Sequence, residues 1–444
     1  MVKPLWDKGA ASPDDRMQRF CAGDDVSWDR ALFPHDIRAS RAHVRGLLRI
    51  GLLTEAECAA LCNGLDELHA AFGAGTFVLD ARYEDGHTAI EAFLGEMLGE
   101  TGRKVHTGRS RNDQVLVAQR LYLKEALTTL LTEELDIAGT CLQRARLTMD
   151  VPMPGYTHMQ RAVPSSVGAW FAAFAEGFTE NAFVALAARD AADACPLGTA
   201  AGYGVNLALD RQGVAQELGF SRVLVSPIYA QNSRGKVERL ALEALHQALL
   251  DTRRLAWDLA LFVTSEFAFA RLPEAFTTGS SIMPNKRNPD VVELLRQLAA
   301  VTSGALAELD ATLSLPSGYQ RDLQGTKAPV IRALSRGLDG LSLLPRLLDG
   351  VEFDALRMNV AISPEMFATD RAMELARSGV PFRDAYGRAA VEIVGAAAVT
   401  AEQSLAARVS LGGMGNPGLD VVEKRLAEAT AAADQRSGTG ESGR

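Results

Sequence analysis

Four polar stretches of the sequence carry the side chains that could do chemistry. They read HTGRSRND (106–113), GYTHMQ (155–160), GSSIMPNKRNPD (279–290) and YQRDLQGTK (319–327). They supply hydroxyls, amides, imidazoles, lysine and arginine, without the ligand spacing of a metal site or a serine nucleophile elbow. Such a set suits proton transfer with stabilisation of an anion, and it excludes hydride transfer and most metal-dependent hydrolysis.

The stretch 277–295 needs an explanation beyond folding. Its glycine and two serines cannot fill a core, and Pro284 and Pro289 forbid a regular helix through its middle. We therefore predict a mobile, hydroxyl-bearing loop that runs into a helix at about Asp290. Loops on a helical scaffold often carry function, although an ordinary polar connector would have the same composition.

Charge and cysteine content narrow the class of protein. The 444 residues include 46 basic and 55 acidic side chains, and the net charge of −9 argues against nucleic acid as the main partner. The local basic clusters are better explained as sites for a small substrate that carries carboxylates. Cys58 and Cys62 stand one helical turn apart without a third ligand nearby, so we predict no metal. No apolar run reaches membrane-spanning length and no signal core is visible, so we expect a soluble, cytoplasmic protein without a membrane partner.

Five long segments with helical apolar periodicity must position the polar stretches. They cover residues 115–149, 162–194, 235–270, 289–315 and 328–351. A helix of ~35 residues is about 50 Å long. Because nothing alternates at period two over a sizeable length, we predict an all-α fold with a long central helical bundle. The broad, alanine-rich stripes also predict that the bundle meets other copies of itself.

Three regions are expected along the chain. Residues 1–111 are predicted to form an N-terminal domain of short helices and loops, and residues 112–356 the central bundle. Residues 357–444 are predicted to form a small helical C-terminal domain, whose last stretch, 433–444, is small, polar and disordered.

Several motifs together resemble one enzyme family. HTGRSRNDQ, PGYTHMQRA and GSSIMPNKRNPD resemble the three signature regions of the argininosuccinate lyase family, in the fumarase/aspartase superfamily. EDGHTAIEA, YQRDLQGTK and ATDRAMELARSGVPFRDA are also similar to that family, and the similarity covers about residues 5–424. The third signature alone would indicate only the superfamily, whereas the first two narrow it to this branch.

The resemblance implies both an assembly and a reaction. The assembly is an all-α homotetramer with a twenty-helix core, in which each active site is built from loops of three subunits. The reaction is the cleavage of argininosuccinate to arginine and fumarate, without a cofactor. Adenylosuccinate lyase fits less well, because the first two signatures do not look like that branch.

The resemblance also implies roles for individual residues in proton transfer. Ser280 corresponds to the base, and Lys286 and Asn288 would stabilise a doubly charged aci-carboxylate intermediate. His158 would protonate the leaving nitrogen, with Glu293 as its carboxylate partner. The sequence leaves open which of Ser280 and His158 is the acid, and whether Ser281 contributes. A lone histidine such as His158 could equally be structural.

Substrate contacts are implied at further positions. The family pattern assigns them to Ser110, Arg111, Asn112, Thr157, Tyr319, Gln324 and Lys327. Arg111 and Lys327 suit carboxylates, whereas the hydroxyls and amides suit fixed orientation. His87 either lines the same site or is structural.

The sequence departs from the family pattern in three places. It begins LWDKGAASPDD, Asp25 occupies the position of a usual substrate-binding serine, and the third region is short near SLGGMGNPG. An acid at position 25 prefers a cation such as an α-ammonium group, which also favours the alternative of a lyase for another N-substituted aspartate. A second alternative is a non-catalytic homologue, as among lens crystallins.

Overall fold

The computed structural model describes residues 14–391 and 399–438, which are mainly helical. Its α-helices are α1 (Asp15–Ala22), α2 (Asp25–Arg49), α3 (Glu55–Gly73), α4 (Gly86–Leu98), α5 (Glu100–Arg103), α6 (Arg111–Thr148), α7 (Val167–Ala192), α8 (Arg211–Glu217), α9 (Pro227–Asn232), α10 (Lys236–Phe262), α11 (Asp290–Thr312), α12 (Lys327–Leu341), α13 (Leu344–Gly350), α14 (Ala355–Ala361), α15 (Ala368–Arg377), α16 (Phe382–Val391), α17 (Ala401–Ala406) and α18 (Leu419–Gly438). Four 3-10 turns are present at Lys104–His106, Glu274–Phe276, Arg321–Thr326 and Pro364–Phe367.

Short strands connect some of the helices. They are β1 (Pro152–Thr157), β2 (Gln160–Ser166), β3 (Ala194–Cys195), β4 (Arg222–Val223), β5 (Ala270–Arg271), β6 (Thr278–Gly279), β7 (Arg287–Asn288) and β8 (Glu352–Phe353). Over the described ranges they pair only in twos, as β1–β2, β3–β4, β5–β8 and β6–β7. The expectation that no sizeable sheet forms is therefore confirmed for these residues.

The longest helix, α6, has 38 residues and begins with a capping box. The Asn112 N–H donates to the Ser110 hydroxyl at 3.3 Å, and the Ser110 N–H donates to the Asp113 carboxylate at 2.9 Å. These bonds satisfy donors that a helix start leaves unpaired. At 1.5 Å per residue, α6 is about 57 Å long. The prediction of a long helix over 115–149 is confirmed.

The central bundle is formed by α6, α7, α10, α11 and α12. Helix α6 packs along α7, and α10 contacts α7, α11 and α12. Leucine and alanine dominate its core, with Phe171 and Phe178 of α7 fully buried among them. Alanine lets helix backbones approach closely, which suits side-by-side packing of long helices. The predicted long central bundle is therefore present within one chain.

Three of the five predicted long helices have different limits. The third, predicted over 235–270, ends at Phe262 in α10. Residues 162–166 belong to strand β2, because Pro164 disfavours a helix and the Ser166 hydroxyl caps α7 by accepting from the Ala169 N–H at 3.1 Å. The fifth segment is split into α12 and α13. A proline, Pro345, lies at the start of α13 and cannot continue the preceding helix.

A separate hydrophobic core precedes the bundle. It lies between α2, α3 and α4 and includes Phe33, Leu47, Leu61 and Ile90. Helix α3 begins with a capping box between Thr54 and its third helical residue. This core ends just before α6, on the N-terminal side of the boundary that the sequence predicts near residue 111.

Strands β1 and β2 form a hairpin directly after α6. Its two turn residues, His158 and Met159, both have positive φ angles, 53° and 59°. Such turns normally carry Asn-Gly or similar pairs, because larger side chains are strained there. Helix α14, helix α17 and the 3-10 turn Pro364–Phe367 pack against the hairpin. The C-terminal region therefore supports the loop that presents His158.

The end of the described chain differs from the sequence prediction. Helix α18 continues to Gly438, so residues 433–438, predicted to be disordered, are helical. The helix forms because it packs along α6 and α7, and Arg436 pairs with Asp190 at 2.7 Å. Residues 439–444, and the unusual start as far as residue 13, lie outside the described residues. No helix in the described ranges is both long and apolar enough to cross a membrane.

The bundle has two ends, which we name after Lys327 and His158. At the Lys327 end, α6 begins beside α2 and α12, and α11 finishes beside the turn Arg321–Thr326. At the His158 end, α6 leads into the β1–β2 hairpin. The rings of Tyr156 and Phe267 lie 6.0 Å apart, which places the chain after α10 at this same end.

Candidate active site

The predicted site residues divide between the two ends of the bundle. Eight of them are at the Lys327 end: Asp25, His87, Ser110, Arg111, Asn112, Tyr319, Gln324 and Lys327. The other six are at the His158 end: Thr157, His158, Ser280, Lys286, Asn288 and Glu293.

Lys327 forms the centre of a buried charge cluster at its end. The residue is only 2% exposed, and its ammonium lies 2.6 Å from the Asp29 carboxylate and 3.2 Å from that of Asp25. Burial would lower the pKa of Lys327, but the two aspartates raise it above its usual value, so the amine stays charged. Burial raises the pKa of Asp25 to about 6, against the lowering influence of Lys327. The cluster therefore contains a carboxylate that titrates close to neutral pH.

Arg111 is held at the positive end of α6 by acidic neighbours. Its guanidinium lies 3.2 Å from the Glu84 carboxylate, forms an ion pair with Asp85 and donates to the Thr88 hydroxyl at 3.0 Å. Arg321 pairs with the same Glu84 at 3.6 Å. Backbone N–H groups at a helix start attract anions, so the position suits a substrate carboxylate. The acidic neighbours hold the Arg111 side chain in one orientation at this position.

Ser110 and Asn112 flank Arg111 in different ways. The Ser110 hydroxyl caps α6, so this predicted contact residue also has a structural role. The Asn112 side chain is half-buried and forms no hydrogen bond with a described residue, whereas its backbone N–H donates to the Ser110 hydroxyl. Its amide is therefore the freer of the two groups.

His87 lies beneath the cluster rather than on its surface. It is 4% exposed, and its Nδ1 lies 2.5 Å from the Asp36 carboxylate. Burial alone would lower the pKa of His87, but Asp36, Asp85 and Asp29 raise it above its usual value. The adjacent Gly86 N–H donates to Asp29 at 2.9 Å. This geometry favours a structural role for His87, because its imidazole is buried against Asp36 rather than open to a substrate.

Gln324 and Tyr319 come from the segment before α12. The Gln324 amide donates to the backbone carbonyls of Cys21 and Ala22, at 3.2 and 3.3 Å, where α1 ends. The Tyr319 ring lies 6.0 Å from the guanidinium carbon of Arg234. Tyr319 and Gln324 are therefore close to the helix start that carries Asp25.

The polar loop 277–289 closes on itself at the His158 end. Strands β6 and β7 pair across it, and the Asn288 amide donates to the Gly279 carbonyl at 3.4 Å. The Ser280 hydroxyl accepts hydrogen bonds from the N–H groups of Ile282 and Met283, at 3.3 and 3.1 Å. Helix α11 starts at Asp290, which confirms the predicted limit of the loop.

The cation and carboxylate of this loop region are exposed. Lys286 projects into solvent, and no ion pair with a described residue engages its ammonium. Glu293 lies one turn into α11 and pairs with Arg296 at 3.6 Å rather than with His158. Thr157 and His158 are exposed on the hairpin. Within one chain, no hydrogen bond or ion pair among the described residues joins the hairpin tip to the loop 277–289.

Comparison with known proteins decides the family. A model of a lyase family matches residues 15–304. An argininosuccinate lyase of Sorangium cellulosum is 56% identical over 422 residues, which cover 95% of this chain and 98% of that protein. One from Xanthomonas axonopodis pv. citri is 54% identical over 427 residues, covering 96% and 99%. The chain belongs to the argininosuccinate lyase family.

Solved structures share the fold of this argininosuccinate lyase family member. An EDDS lyase in complex with formate matches with a TM-score of 0.75 at 24% identity, covering 96% of this chain and 92% of that one. A fumarate lyase:delta crystallin from Brucella melitensis in native form matches with a TM-score of 0.71 at 19% identity, covering 92% and 95%. At these identities the likeness concerns the fold alone.

The two groups of predicted site residues are far apart within one chain. Ser110 precedes α6 and the hairpin of His158 follows it, and the two ends of this helix are about 57 Å apart at 1.5 Å per residue. One chain cannot bring both groups to one small molecule. In this member of the argininosuccinate lyase family, a site that uses both groups therefore needs more than one copy of the chain.

Some residues of the cluster have no counterpart in the sequence predictions. Asp29, Glu84 and Asp85 hold Lys327 and Arg111. Asp29 could have been found, because it stands four residues after Asp25 on the same helix and therefore on the same face. Glu84 and Asp85 stand in the same motif as His87, but their residue types and spacing do not indicate which side chain they contact. Over the described ranges, no group of three or more potential ligands is arranged to hold a metal ion.

Proposed function

We propose that the protein cleaves argininosuccinate to arginine and fumarate, without a cofactor. The observation that carries this proposal is the 56% identity to the argininosuccinate lyase of Sorangium cellulosum, which extends along almost the whole of both chains. A chain of this family that had lost catalysis would be free to lose its polar loops, whereas Ser280, Lys286 and His158 are all present here.

The reaction requires removal of a weakly acidic proton. That proton is on the carbon next to a carboxylate, and its loss leaves a doubly charged aci-carboxylate. The carbon–nitrogen bond then breaks, the electron pair leaves with the guanidinium nitrogen, and that nitrogen takes up a proton. Fumarate and arginine result, and no redox change occurs.

Ser280 is our candidate for the base. A serine hydroxyl is a poor base in water and becomes a better one where N–H donors and a cation stabilise its oxyanion. Support comes from the N–H groups of Ile282 and Met283, which already point at its oxygen. Lys286 and Asn288 belong to the same loop and would stabilise the aci-carboxylate.

His158 is our candidate for the group that protonates the leaving nitrogen, with Glu293 as its partner from another copy. Its exposed place on a strained two-residue turn supports a functional reason for the turn, since backbone strain of this kind gathers at functional sites. Thr157 beside it would contact the substrate. The reverse assignment, with His158 as base, uses the same two groups.

The Lys327 end is our candidate for the amino-acid half of the substrate. Arg111, Asn112, Tyr319 and Gln324 would bind and orient it, and Ser110 would contribute while capping α6. Asp25 would face the α-ammonium group, since a carboxylate attracts that charge. Lys327 and His87 would hold the aspartates in place.

We further propose a homotetramer with a twenty-helix core and sites shared between subunits. The 38-residue length of α6 supports it, because residues from both of its ends are needed in one site. A metabolic enzyme with a small, charged substrate also fits our expectation of a cytoplasmic protein.

The direct test is to follow fumarate absorbance after adding argininosuccinate to the purified protein. We expect turnover, and its absence would overturn the proposal. Asp25 favours a second candidate, a lyase for another N-substituted aspartate. A panel of such compounds in the same assay separates the two, because the second candidate predicts faster turnover of a panel member than of argininosuccinate.

A further inference from the structure

Arg234 is a buried arginine whose guanidinium donates no hydrogen bond to a described residue. It lies between α9 and α10 and is 3% exposed. Its Nε is fully enclosed and has no hydrogen-bond partner among the described residues. Its two terminal nitrogens are not fully enclosed. The other buried arginines all donate: Arg109 to Ser40 and Val105, Arg120 to Ser233, and Arg189 to Thr128.

An unsatisfied buried guanidinium is costly unless something pairs with it. Charged groups are rarely buried without a partner, because desolvation is not repaid. A purely structural arginine would be expected to find backbone or side-chain acceptors, as the other three do. The state of Arg234 therefore indicates a site that an external anion completes.

The surroundings of Arg234 place it among the residues of the Lys327 end. Its guanidinium carbon lies 6.0 Å from the centre of the Tyr319 ring. The neighbouring Asn232 side chain accepts from the Gly318 N–H at 2.6 Å, which fixes the loop before Tyr319. The charge of Arg234 also acts on Asp25 and Lys327, and lowers the pKa of both. The guanidinium is therefore beside Tyr319 and close enough to the Asp25–Lys327 pair to act on both charges.

Two other cations of this end, Lys327 and Arg111, are already neutralised by carboxylates. Lys327 contacts Asp25 and Asp29, and Arg111 contacts Glu84 and Asp85. Arg109 and Arg120 also contact no carboxylate, but they donate hydrogen bonds to Ser40, Val105 and Ser233. Among the described buried arginines, only Arg234 has neither an ion pair nor a hydrogen bond from its guanidinium to a described residue. It is therefore the group best able to accept a new carboxylate without giving up an existing partner.

We propose that Arg234 binds the α-carboxylate of the amino-acid half of the substrate, beside Asp25, which binds its α-ammonium group. The inference rests on the proposed function and adds a subsite that matches a zwitterion with one cation and one anion. Guanidinium and carboxylate suit each other because two parallel N–H···O bonds can form. Arg234 would then determine specificity without taking part in proton transfer.

The test compares argininosuccinate with its analogue that lacks the α-carboxylate. In the wild type we expect kcat/KM to be about 10- to 100-fold higher for argininosuccinate, the range of a charged hydrogen-bonded contact. In Arg234→Gln the two substrates should become nearly equal, mainly through a higher KM for argininosuccinate. Arg234→Lys should retain part of the preference, since lysine keeps the charge but not the paired geometry.

Matched measurements separate this role from a structural one. Arg239→Gln removes a half-buried arginine of α10 that pairs with Asp310, and should leave the substrate preference unchanged. An analogue that lacks the α-ammonium group should still be rejected by Arg234→Gln, because Asp25 remains. If Arg234→Gln does not fold, a preference in Arg234→Lys equal to that of the wild type overturns the proposal.

The possible outcomes distinguish failure of the proposed function from failure of the Arg234 subsite alone. Absence of fumarate from argininosuccinate in the wild type overturns the proposed function and the subsite with it. Wild-type turnover together with an undiminished preference in a folded Arg234→Gln variant overturns the subsite alone. A variant that loses kcat/KM equally for both substrates shows a structural role for Arg234 and also overturns the subsite.

Discussion

The carboxylate of Asp25 lies 3.2 Å from the ammonium of Lys327, although the two residues are 302 positions apart in the chain. Asp29 lies nearer to the same ammonium, at 2.6 Å. One buried lysine therefore serves two aspartates, and Asp25 is the more weakly held. This imbalance leaves Asp25 available to a second cation. Burial raises the pKa of its carboxyl to about 6, against the lowering influence of Lys327.

Asp25 should make substrate binding sensitive to mild acid. Above pH 6 its carboxylate is charged and can bind an ammonium group, and below pH 6 it is protonated and cannot. We expect KM for argininosuccinate to rise about tenfold per pH unit as pH falls below 6, as measured by initial rates of fumarate formation. Asp25→Asn should raise KM at pH 7.5 by about 10- to 100-fold and remove this pH dependence. Its exposed neighbour provides the control, and a KM for Asp24→Asn as high as that of Asp25→Asn would contradict the role.

Ser280→Ala should abolish turnover while the fold is retained. Its hydroxyl accepts two backbone N–H bonds that would stabilise an oxyanion, and loss of a positioned base typically costs about 10²–10⁴-fold in rate. Ser281→Ala is the matched control, since that exposed residue follows directly and should keep most activity. Near-normal rates in Ser280→Ala with a loss in Ser281→Ala would move the base by one residue.

Mixing two inactive variants should restore activity if sites are shared. Ser280→Ala and His158→Asn remove groups that no described bond joins within a chain. After subunit exchange, some sites would receive an intact serine from one variant and an intact histidine from the other. We expect fumarate formation to reappear in the mixture and to be absent from each variant alone. Mixed assemblies, verified by native mass spectrometry, that remain inactive would refute the shared site.

Glu134 should make the bundle less stable as pH rises. It is 0% exposed, and neither carboxylate oxygen has a hydrogen-bond partner among the described residues. Burial, followed by repulsion from Asp251, raises its pKa well above the usual value. The folded state thus binds a proton that the unfolded state releases near pH 4.3, so stability falls as pH rises from there to the raised pKa. The expected slope is at most about 1.4 kcal/mol per pH unit.

Calorimetry between pH 5.5 and 8.5 checks the Glu134 prediction. Asp251, the nearby acid, has partners of its own: Asn181 of α7 donates to it at 2.8 Å, and Arg254 lies 4.0 Å from it. A Glu134→Gln variant leaves these partners in place. That variant should lose the fall in Tm at high pH. Glu176→Gln, at an exposed position of α7, should keep it. An identical pH profile in wild type and Glu134→Gln would show that this carboxyl does not titrate on unfolding.

Local patterns predicted the helices well and the hairpin poorly. The start of α11 at Asp290 and the course of α6 follow from proline placement and apolar periodicity, which act within a few residues. The turn at His158 and Met159 has no such signal, because its positive φ angles are imposed by the strands and by the C-terminal helices packed against them. Secondary structure imposed by distant contacts leaves little trace in a single sequence.

The candidate site was predicted only as far as its motifs extend. Lys327 and Arg111 stand in recognisable stretches, whereas their partners Asp29, Glu84 and Asp85 are defined by contacts across the fold. Arg234 stands in a segment, 231–235, that resembles an ordinary connector between helices. Its interest arises from burial without a hydrogen bond, which is a property of the folded chain alone.

The 38-residue helix α6 imposes a length constraint on the evolution of this chain. Inserting a single residue in its middle would move one end by 1.5 Å and rotate it by 100° relative to the other. Ser110 and Arg111 would then be out of phase with the hairpin that carries His158, in every copy at once. Relatives should therefore tolerate insertions around residues 411–418 but keep the residue count of α6 constant, because this helix sets the distance and the angle between the two groups of polar residues.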